Sequence, residues 1–448
     1  MKDTDTIEEL KLHIQNSDIY PMYPSDIANI LKELSDDDFK YYIKKLPSEI
    51  VADVALELPD RYFGNIAREV SVEDLSVGLK ELESDDQTDF IQEIEEVDKQ
   101  KAKDLFNTLD LDDQEDITKL KSYNEDQAGS YMQTEVFTAR LDEKVCDVID
   151  RFRDLKATRE LENVHQLFII DKDHLLLNAI DLEDLLTFDT SDTFKNILKN
   201  HKLDFDTTPA RDLDDIDEVV NYVKEHDLPV IPIVDLDGVL LGRITSDDIY
   251  ELIHELATEQ MYNLAGVDDD AEEDEKVFEA GKKRGIWLFL NLITAILASM
   301  VIGMFEETLQ SYVALAILMP IIASMGGNAG TQTLTVVVRQ LALGDISSSH
   351  AKRVLKKEIL ISLGNGIMFA IIIGIIASIW FDKGMLGIVI GLSMIINLLS
   401  AGFFGATIPL MLKRLDIDPA IGSTVLLTTV TDIVGFLSFL GLAKMILL

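Results

Sequence analysis

The stretch MGGNAGTQ, residues 325–332, lies inside a long apolar run and decides how the chain is interpreted. SYVALAILMPIIAS (311–324) precedes it and TLTVVVRQLAL (333–343) follows it. A membrane-spanning helix needs about 20 apolar residues, so this run is long for one straight crossing. With Pro320 and three glycines inside it, we expect a break or kink. Non-helical backbone at membrane depth is stable only where it is buried in protein or lines a wet cavity.

Two interpretations of this stretch remain open from the sequence. Gly326 and Gly330 form a G-x-x-x-G pattern, which is typical of close packing between membrane helices. Asn328, Thr331 and Gln332 favour a functional site instead, because helix packing does not require a cluster of polar groups.

The charge is divided unevenly along the chain. The 448 residues have a net charge of −41, of which residues 281–448 contribute +4 (12 Lys and Arg, 8 Asp and Glu) and residues 1–280 contribute −45. An acidic soluble part is therefore joined to a nearly neutral apolar part. Acidity on this scale argues against nucleic acid as a partner and favours cations. The single cysteine, Cys146, excludes an internal disulfide, and the N-terminus has no apolar signal segment.

The apolar part contains five hydrophobic segments, each long enough to span a membrane. The connections alternate in charge: basic loops are expected in the cytoplasm, and five spans then place the C-terminal Leu448 outside the plasma membrane. The segments are residues 286–305, 311–341, 357–380, 385–412 and 420–447; the basic loops are 281–285, 350–358 and 412–416, and the others are 305–311 and 380–385.

The fifth segment carries one carboxylate, Asp432, in the middle of TVLLTTVTDIVGFLSFLGLA (424–443). An acidic residue inside a membrane is costly, and it indicates a functional site by default. Thr424, Thr428, Thr429 and Thr431 supply further oxygens on the same turns. A carboxylate with neutral oxygens suits a largely hydrated Mg²⁺. A proton relay and a protonated, structural Asp432 are the alternatives.

The soluble part contains two repeats. LFIIDKDHLLLNAIDLEDLL (167–186) aligns without a gap on IPIVDLDGVLLGRITSDDIY (231–250), 64 residues later, and the pattern resembles a tandem CBS domain pair. Thr245 and Asp248 match the family's ribose-binding positions, so an adenine nucleotide such as ATP is one expected ligand; a purely structural pair is the alternative. PSDIANILKEL (24–34), PSEIVADVALEL (47–58) and SVEDLSVGLKEL (71–82) predict a stack of short helices.

In order, these parts resemble the MgtE family of magnesium transporters over nearly the whole chain. SYNEDQAGSYM (122–132), MGGNAGTQ and DPAIGSTVLLTTVTDIVG (418–435) are similar to three of its motifs. The resemblance implies an all-α helical-repeat domain (1–130), an α/β CBS pair (131–257), a connecting helix (258–284) and a five-helix α transmembrane domain (285–448). It also implies a homodimeric Mg²⁺ channel in membrane lipid that intracellular Mg²⁺ closes.

The resemblance also assigns candidate metal-binding residues. In the membrane these are Asp432, Asn328, Gly327 and Gly330; in the cytosolic part they are Asp217, Asp227, Asp248, Glu251 and Glu259. Thr424 replaces an Asn of the family pattern, and Leu256 and Gln260 replace acids of the sensor. No catalytic triad, zinc-ligand spacing or P-loop is present, so we expect no enzyme. A proton-coupled or less selective divalent transporter and a non-conducting Mg²⁺-sensing scaffold are the alternative functions.

Overall fold

The computed structural model describes residues 3–15, 21–158, 161, 163–200, 208–265, 277–342, 346, 351–415 and 417–448. The chain forms two compact units, Met1–Leu252 and Ile253–Leu448. The domain borders expected at residues 130, 257 and 284 stay predictions. A run of seven acidic residues between Asp268 and Glu275 lies outside the described residues.

The first unit begins with the stack of short helices that the repeat predicts. Ser35 and Ser71 start two of them, each accepting a hydrogen bond from the backbone N–H three residues later, at 3.3 and 3.0 Å. Phe39, Phe63 and Phe90 are buried in the core that the helices share. The helices are α1 (Asp3–Gln15), α2 (Pro24–Lys32), α3 (Asp36–Ile43), α4 (Val51–Leu56), α5 (Phe63–Glu69), α6 (Val72–Leu79), α7 (Ser84–Val97), α8 (Lys99–Phe106) and α9 (Leu111–Leu120).

Two three-stranded sheets follow, and they confirm the predicted CBS pair. In each sheet the first two strands are parallel and the last two antiparallel. The strands are β1 (Thr138–Arg140), β2 (Gln166–Ile170), β3 (Leu176–Asp181), β4 (Ala210–Arg211), β5 (Val230–Val234) and β6 (Leu240–Thr245). The helices are α10 (Val145–Thr158), α11 (Leu182–Leu185), α12 (Phe194–Asn200), α13 (Ile216–His226) and α14 (Ser246–Ala265).

The two sheets repeat in detail at the spacing of 64 residues. A bulge between Ile169 and Ile170 in the first sheet recurs between Ile233 and Val234 in the second. Asp171 closes the first hairpin turn by accepting backbone N–H bonds two and four residues later, as its counterpart in the second hairpin does. The ungapped alignment therefore reflects equivalent backbone geometry and not only equivalent composition.

The segment that leaves the helical stack, residues 122–133, is bonded to the second CBS copy. Backbone N–H groups of Ala128 and Gly129 donate to the carbonyls of Asp214 and Asp212, at 2.9 and 2.8 Å. The Tyr123 hydroxyl donates to the Asp212 carboxylate at 3.0 Å. Burial and this bond raise the pKa of Tyr123 to about 12. A Cβ on Gly129 would lie 2.7 Å from the Tyr123 ring, so only glycine fits there.

The second unit contains five helices long and apolar enough to cross a membrane, as predicted. The α19 helix is central, because 67% of its apolar window is buried, compared with 6% for α15. The short helix α16 (Glu306–Ser311) precedes the second span. The spanning helices are α15 (Val277–Gly303), α17 (Val313–Ala342), α18 (Ala351–Phe381), α19 (Gly384–Arg414) and α20 (Ser423–Leu447).

The expected helix break at MGGNAGTQ is wrong, because α17 is one continuous helix from Val313 to Ala342 and contains Pro320. Its glycines allow close contacts instead. A Cβ on Gly326 would collide with the side chain of Asn397 in α19, and one on Gly330 would lie 3.0 Å from the Leu427 side chain in α20. The G-x-x-x-G packing interpretation is therefore confirmed for these two positions.

The α18 and α19 backbones approach each other closely at a pair of glycines. A Cβ on Gly387 would collide with the carbonyl oxygen of Gly374 and the hydroxyl of Ser378, whereas a Cβ on Gly364 would meet no atom within 4 Å. Both glycines lie inside helices, so a change to alanine affects helix propensity equally at the two positions. A difference between the two variants therefore reports packing.

We expect Gly387→Ala to destabilise the second unit by about 1–3 kcal/mol, because a backbone carbonyl cannot move aside as a side chain can. Gly364→Ala should be neutral or stabilise by up to about 1 kcal/mol through helix propensity. Thermal unfolding of the purified chains in detergent measures both. Equal unfolding midpoints for the two variants would contradict this account of the α18–α19 contact.

Candidate functional site

Asp432 lies in the middle of α20 and is partly buried. Among the described residues, no side chain or backbone group forms a hydrogen bond with its carboxylate. The neighbouring hydroxyls of Thr428, Thr429 and Thr431 each donate to a backbone carbonyl of their own helix, at distances between 2.6 and 3.1 Å. Within the part of the chain that the structure describes, Asp432 therefore has no partner that would compete with a cation.

The contacts between α17 and α20 fix the depth of Asp432 relative to the GGN motif. Gly330 meets Leu427, and Ile322 meets Gly435, so the two helices run antiparallel. Asp432 precedes Gly435 by three residues, which is about 4.5 Å along the helix axis. It lies between these two contacts, at the depth of the segment that begins at Met325.

The motif has a packed face and an open face on α17. Gly326 and Gly330 are buried against neighbouring helices. The backbone of Gly330 also approaches Gly405 of α19, where an added Cβ would lie 2.8 Å from the Gly330 carbonyl oxygen. A Cβ on Gly327 would meet nothing within 4 Å. The exposed face is polar for three turns; its residues are Ser324, Asn328, Gln332 and Thr335. Gly330 thus lies at a helix contact, whereas Asn328 lies on an open polar face.

Within the described residues, no three His, Cys, Asp or Glu side chains are close enough to hold a metal ion. One carboxylate per chain, with neutral oxygens around it, cannot replace the full hydration shell of a divalent cation. Mg²⁺ commonly keeps several of its waters, so this donor set fits a hydrated ion better than a dehydrated one.

The end of α14 contacts the start of α20 within the second unit. The Thr424 hydroxyl donates to the backbone carbonyl of Leu264 at 2.9 Å, and the Asn263 amide lies 3.3 Å from the Asp418 carboxylate. The Leu264 side chain packs against a cluster that includes Leu427. Thr424, which replaces an Asn of the family pattern, is therefore bonded to the connecting helix.

The predicted sensor acids do not form one group. Asp217 and Asp227 lie at opposite ends of α13, about 15 Å apart along its axis, and both are exposed. Asp227 has φ 52°, in the left-handed region, where it ends the helix. Asp248 and Glu251 lie one turn apart near the start of α14. Glu259, in the second unit, accepts a hydrogen bond from Asn263 at 3.3 Å.

An acidic cluster joins the helical stack to the second CBS copy, and the sequence analysis did not predict it. It comprises Asp248 and three acids at the start of α7, Glu83, Asp85 and Asp86. Asp85 is buried, Glu83 and Asp248 are half-buried, and Asp86 is exposed. The Arg243 side chain, only 1% exposed, lies 3.4 Å from the Glu83 carboxylate and supplies a counter-charge. The Gln133 amide donates to Asp248 at 3.3 Å. From the sequence alone, ESDD (83–86) indicates only acidic residues in the first turn of a helix, where they interact favourably with the helix dipole.

Burial dominates the electrostatics of this acidic cluster. It raises the pKa of Glu83 to about 7, although Arg243 opposes the shift. The pKa of Asp86 is also raised to about 7, by the surrounding protein and by repulsion from Asp248, although the side chain is exposed at the surface. The pKa of Asp85, which is 8% exposed, is raised furthest, and that of Asp248 is raised although Thr245 bonds to it. The cluster therefore favours protonation. A cation near it would offset the same repulsion, although no three of its carboxylates are close enough to hold a metal ion directly.

The predicted nucleotide residues lie at the edge of the same cluster. Thr245 is fully buried, and its hydroxyl donates to the Asp248 carboxylate at 2.7 Å. Its backbone N–H donates to the same oxygen at 3.2 Å. The Thr245 hydroxyl and the Asp248 carboxylate, which would contact a ribose, are thus bonded to each other. Nucleotide binding stays a prediction.

These features define a multi-pass membrane protein of the ion-transporter class, with soluble domains before its five candidate spans. Family models match at residues 319–442 (MgtE, divalent cation transporter), 22–126 (MgtE intracellular N domain) and 210–255 (CBS domain). The chain belongs to the MgtE family, whose members are membrane transporters and not a class of enzymes.

Curated relatives and one solved structure show the extent of the similarity. The Magnesium transporter MgtE of Enterococcus faecalis is 30% identical over 331 residues, 74% of this chain and 71% of that protein. That of Bacillus subtilis is 27% identical, over 97% of this chain and 94% of that protein. A crystal structure of the cytosolic domain of the Mg²⁺ channel MgtE in complex with ATP is 24% identical, with a TM-score of 0.47, over 52% of this chain and 91% of that one.

Proposed function

We propose that this protein is a Mg²⁺-selective channel or transporter that mediates Mg²⁺ uptake across the plasma membrane as a homodimer. The soluble domains are cytoplasmic and Leu448 is outside, as the alternation of basic loops favours. The relatives named Magnesium transporter MgtE support Mg²⁺ as the transported ion.

The observation that carries this proposal is the unpaired Asp432 carboxylate at the depth of the open polar face of α17. A carboxylate inside the membrane is costly unless an ion or a proton offsets its charge. Hydroxyls and amides around it can hydrogen-bond the waters of a hydrated cation. A second copy of the chain would bring a second Asp432 to the pathway, which favours a divalent ion over a monovalent one.

We further propose that intracellular Mg²⁺ closes this pathway by binding to the acidic cytoplasmic domains. The acidic cluster of Glu83, Asp85, Asp86 and Asp248 supports this, because a cation near it would offset the repulsion between these groups. The bond from Thr424 to the carbonyl of Leu264 provides a direct connection between the end of α14 and the pore helix α20.

Flux measurements on the purified full-length protein in liposomes test the proposed function. We expect external Mg²⁺ to enter vesicles that contain a Mg²⁺-sensitive dye, without a pH gradient, and entry to fall when Mg²⁺ is also present on the side of the soluble domains. Protein-free vesicles are the control.

The alternatives give different results in the same assay. A proton-coupled transporter would carry Mg²⁺ substantially faster when a pH gradient is imposed, and would acidify or alkalinise the lumen as it did so. A non-conducting scaffold would leave the dye signal at the level of protein-free vesicles, which would overturn the proposal.

A further inference from the structure

Asn397 is a fully buried polar side chain at the centre of the helix bundle, and the sequence analysis did not single it out. Its Nδ2 donates to the backbone carbonyl of Ile322 in α17 at 2.7 Å. Its amide fills the space between two glycines of different helices. A Cβ on Gly326 of α17 would collide with the amide, and one on Gly435 of α20 would lie 3.1 Å from both Nδ2 and Oδ1.

The other amide atom, Asn397 Oδ1, is buried and has no hydrogen-bond partner in the described part of the chain. Two hydroxyl oxygens of α19, Ser400 Oγ and Thr407 Oγ1, share this property. Over the described residues of the second unit, these three are the only buried side-chain oxygens or nitrogens without a partner. Spacings of three and seven residues put all three on one face of α19.

This face of α19 reaches the depth of Asp432. Asn397 meets Gly435, and both Gly405 of α19 and Leu427 of α20 meet Gly330, so α19 and α20 run antiparallel. The position three residues after Asn397 on α19 therefore lies at the same depth as the position three residues before Gly435 on α20. Those positions are Ser400 and Asp432.

Buried polar atoms in proteins are almost always hydrogen-bonded, and where no protein group serves, an ordered water does. Inside a membrane bundle, such water requires a polar cavity with several partners. Ser400 Oγ and the unpaired Asp432 carboxylate supply such partners at one depth, and Asn397 Oδ1 supplies another about 4.5 Å away along the helix axis.

We propose that Asn397 and Ser400 are positioning residues of the cation pathway, which hold ordered water at the depth of Asp432. This water would orient the carboxylate and the hydration shell of the passing ion, so that α19 forms a third polar wall beside α17 and α20. The inference rests on the proposed function and assigns a role within it to a helix outside the GGN and Asp432 motifs.

The test compares four variants of the full-length protein in the liposome assay, each with its thermal unfolding midpoint. Asn397→Leu keeps the branched outline of the side chain but is larger, and it removes both the unpaired oxygen and the Nδ2 donor. Ser400→Ala removes the hydroxyl, and Ser400→Thr restores one. Ser393→Ala is the control, because Ser393 is a fully buried serine of α19 that already donates to the Val389 carbonyl at 2.8 Å.

We expect Asn397→Leu to reduce Mg²⁺ flux roughly tenfold with a lowered unfolding midpoint, and Ser400→Ala to reduce it roughly threefold with a midpoint close to wild type. Ser400→Thr and Ser393→Ala should remain within about twofold of wild type. Flux of Co²⁺ should fall less than flux of Mg²⁺ in both impaired variants, because Mg²⁺ gives up its waters reluctantly. A purely structural role would lower the fluxes of Mg²⁺ and Co²⁺ equally and leave their ratio unchanged.

The results separate this inference from the proposed function. If wild type conducts and Asn397→Leu and Ser400→Ala conduct equally well, the positioning role is wrong and the pathway stands. If flux falls only in proportion to a lowered unfolding midpoint, with the Mg²⁺ to Co²⁺ ratio unchanged, Asn397 has a structural role and the inference is overturned. If wild type does not conduct, the proposed function itself fails.

Discussion

Asp432→Asn should reduce Mg²⁺ flux roughly 100-fold or more, while the protein remains folded and its assembly state is unchanged. The substitution keeps the shape of the side chain but removes the one charge that attracts a divalent ion inside the bundle. A charge–ion interaction in a low-dielectric setting is worth several kcal/mol, and about 3 kcal/mol corresponds to this loss. Dye-detected entry into liposomes measures the flux, and size-exclusion chromatography in detergent measures the assembly.

A matched control separates this local effect from a change in overall charge. Asp382→Asn removes one carboxylate from the exposed turn between α18 and α19, where the residue has φ 52°. Asn tolerates this left-handed conformation well, so the variant should fold and conduct within about twofold of wild type. Undiminished flux in Asp432→Asn would remove this residue from the mechanism.

The second large effect is expected where α7 meets the second CBS copy. Without divalent cations, raising the pH from 5 to 8.5 should lower the hydrogen-exchange protection factors of α7 amides about tenfold or more. Carboxyls with a raised pKa stabilise the fold while they are protonated, and this contribution is lost as the pH rises through their folded values. For Glu83 and Asp86 those values are about 7, so the loss should centre near neutral pH.

Mg²⁺ should reverse this loss. At pH 8.5 we expect millimolar Mg²⁺ to restore protection of α7, and at pH 5 to have little effect, because protons already neutralise the cluster. Asp86→Asn should reduce both responses. The control Asp112→Asn alters an exposed acid in the first turn of α9 and should leave both unchanged. If Mg²⁺ does not restore protection at pH 8.5, this cluster is not part of the sensor, and the pore assignment is unaffected.

Local patterns in the sequence were sufficient to predict most of the fold. Five apolar runs, a 64-residue repeat of strand-forming residues and a short helical repeat each specify structure through nearby residues. The predicted spans match the helices within about six residues, except that α15 begins at Val277, nine residues before the apolar run starts at residue 286. Basic residues such as Lys282 continue the helix without adding to hydropathy.

Features that depend on tertiary contacts could not be predicted. MGGNAGTQ contains the residues that end helices in water, but an α-helix satisfies its own backbone in a membrane, and small residues let neighbouring helices approach closely. Gly326 could bend the helix or leave space for a neighbouring side chain. The structure shows the second, and the side chain is that of Asn397, 71 positions away in the sequence. The cluster of Asp86 and Asp248 likewise joins residues separated by 162 positions.

The bonds that join residues 122–133 to the second CBS copy also bear on how the chain is synthesised. Ala128 and Gly129 leave the ribosome about 84 residues before their hydrogen-bond acceptors, Asp212 and Asp214. At about 5–20 residues per second, the acceptors are made roughly 4–17 s later. During this interval, residues 122–133 lack these hydrogen-bond acceptors. The N-terminal half of the chain therefore cannot form all of its hydrogen bonds until the second CBS copy has been synthesised.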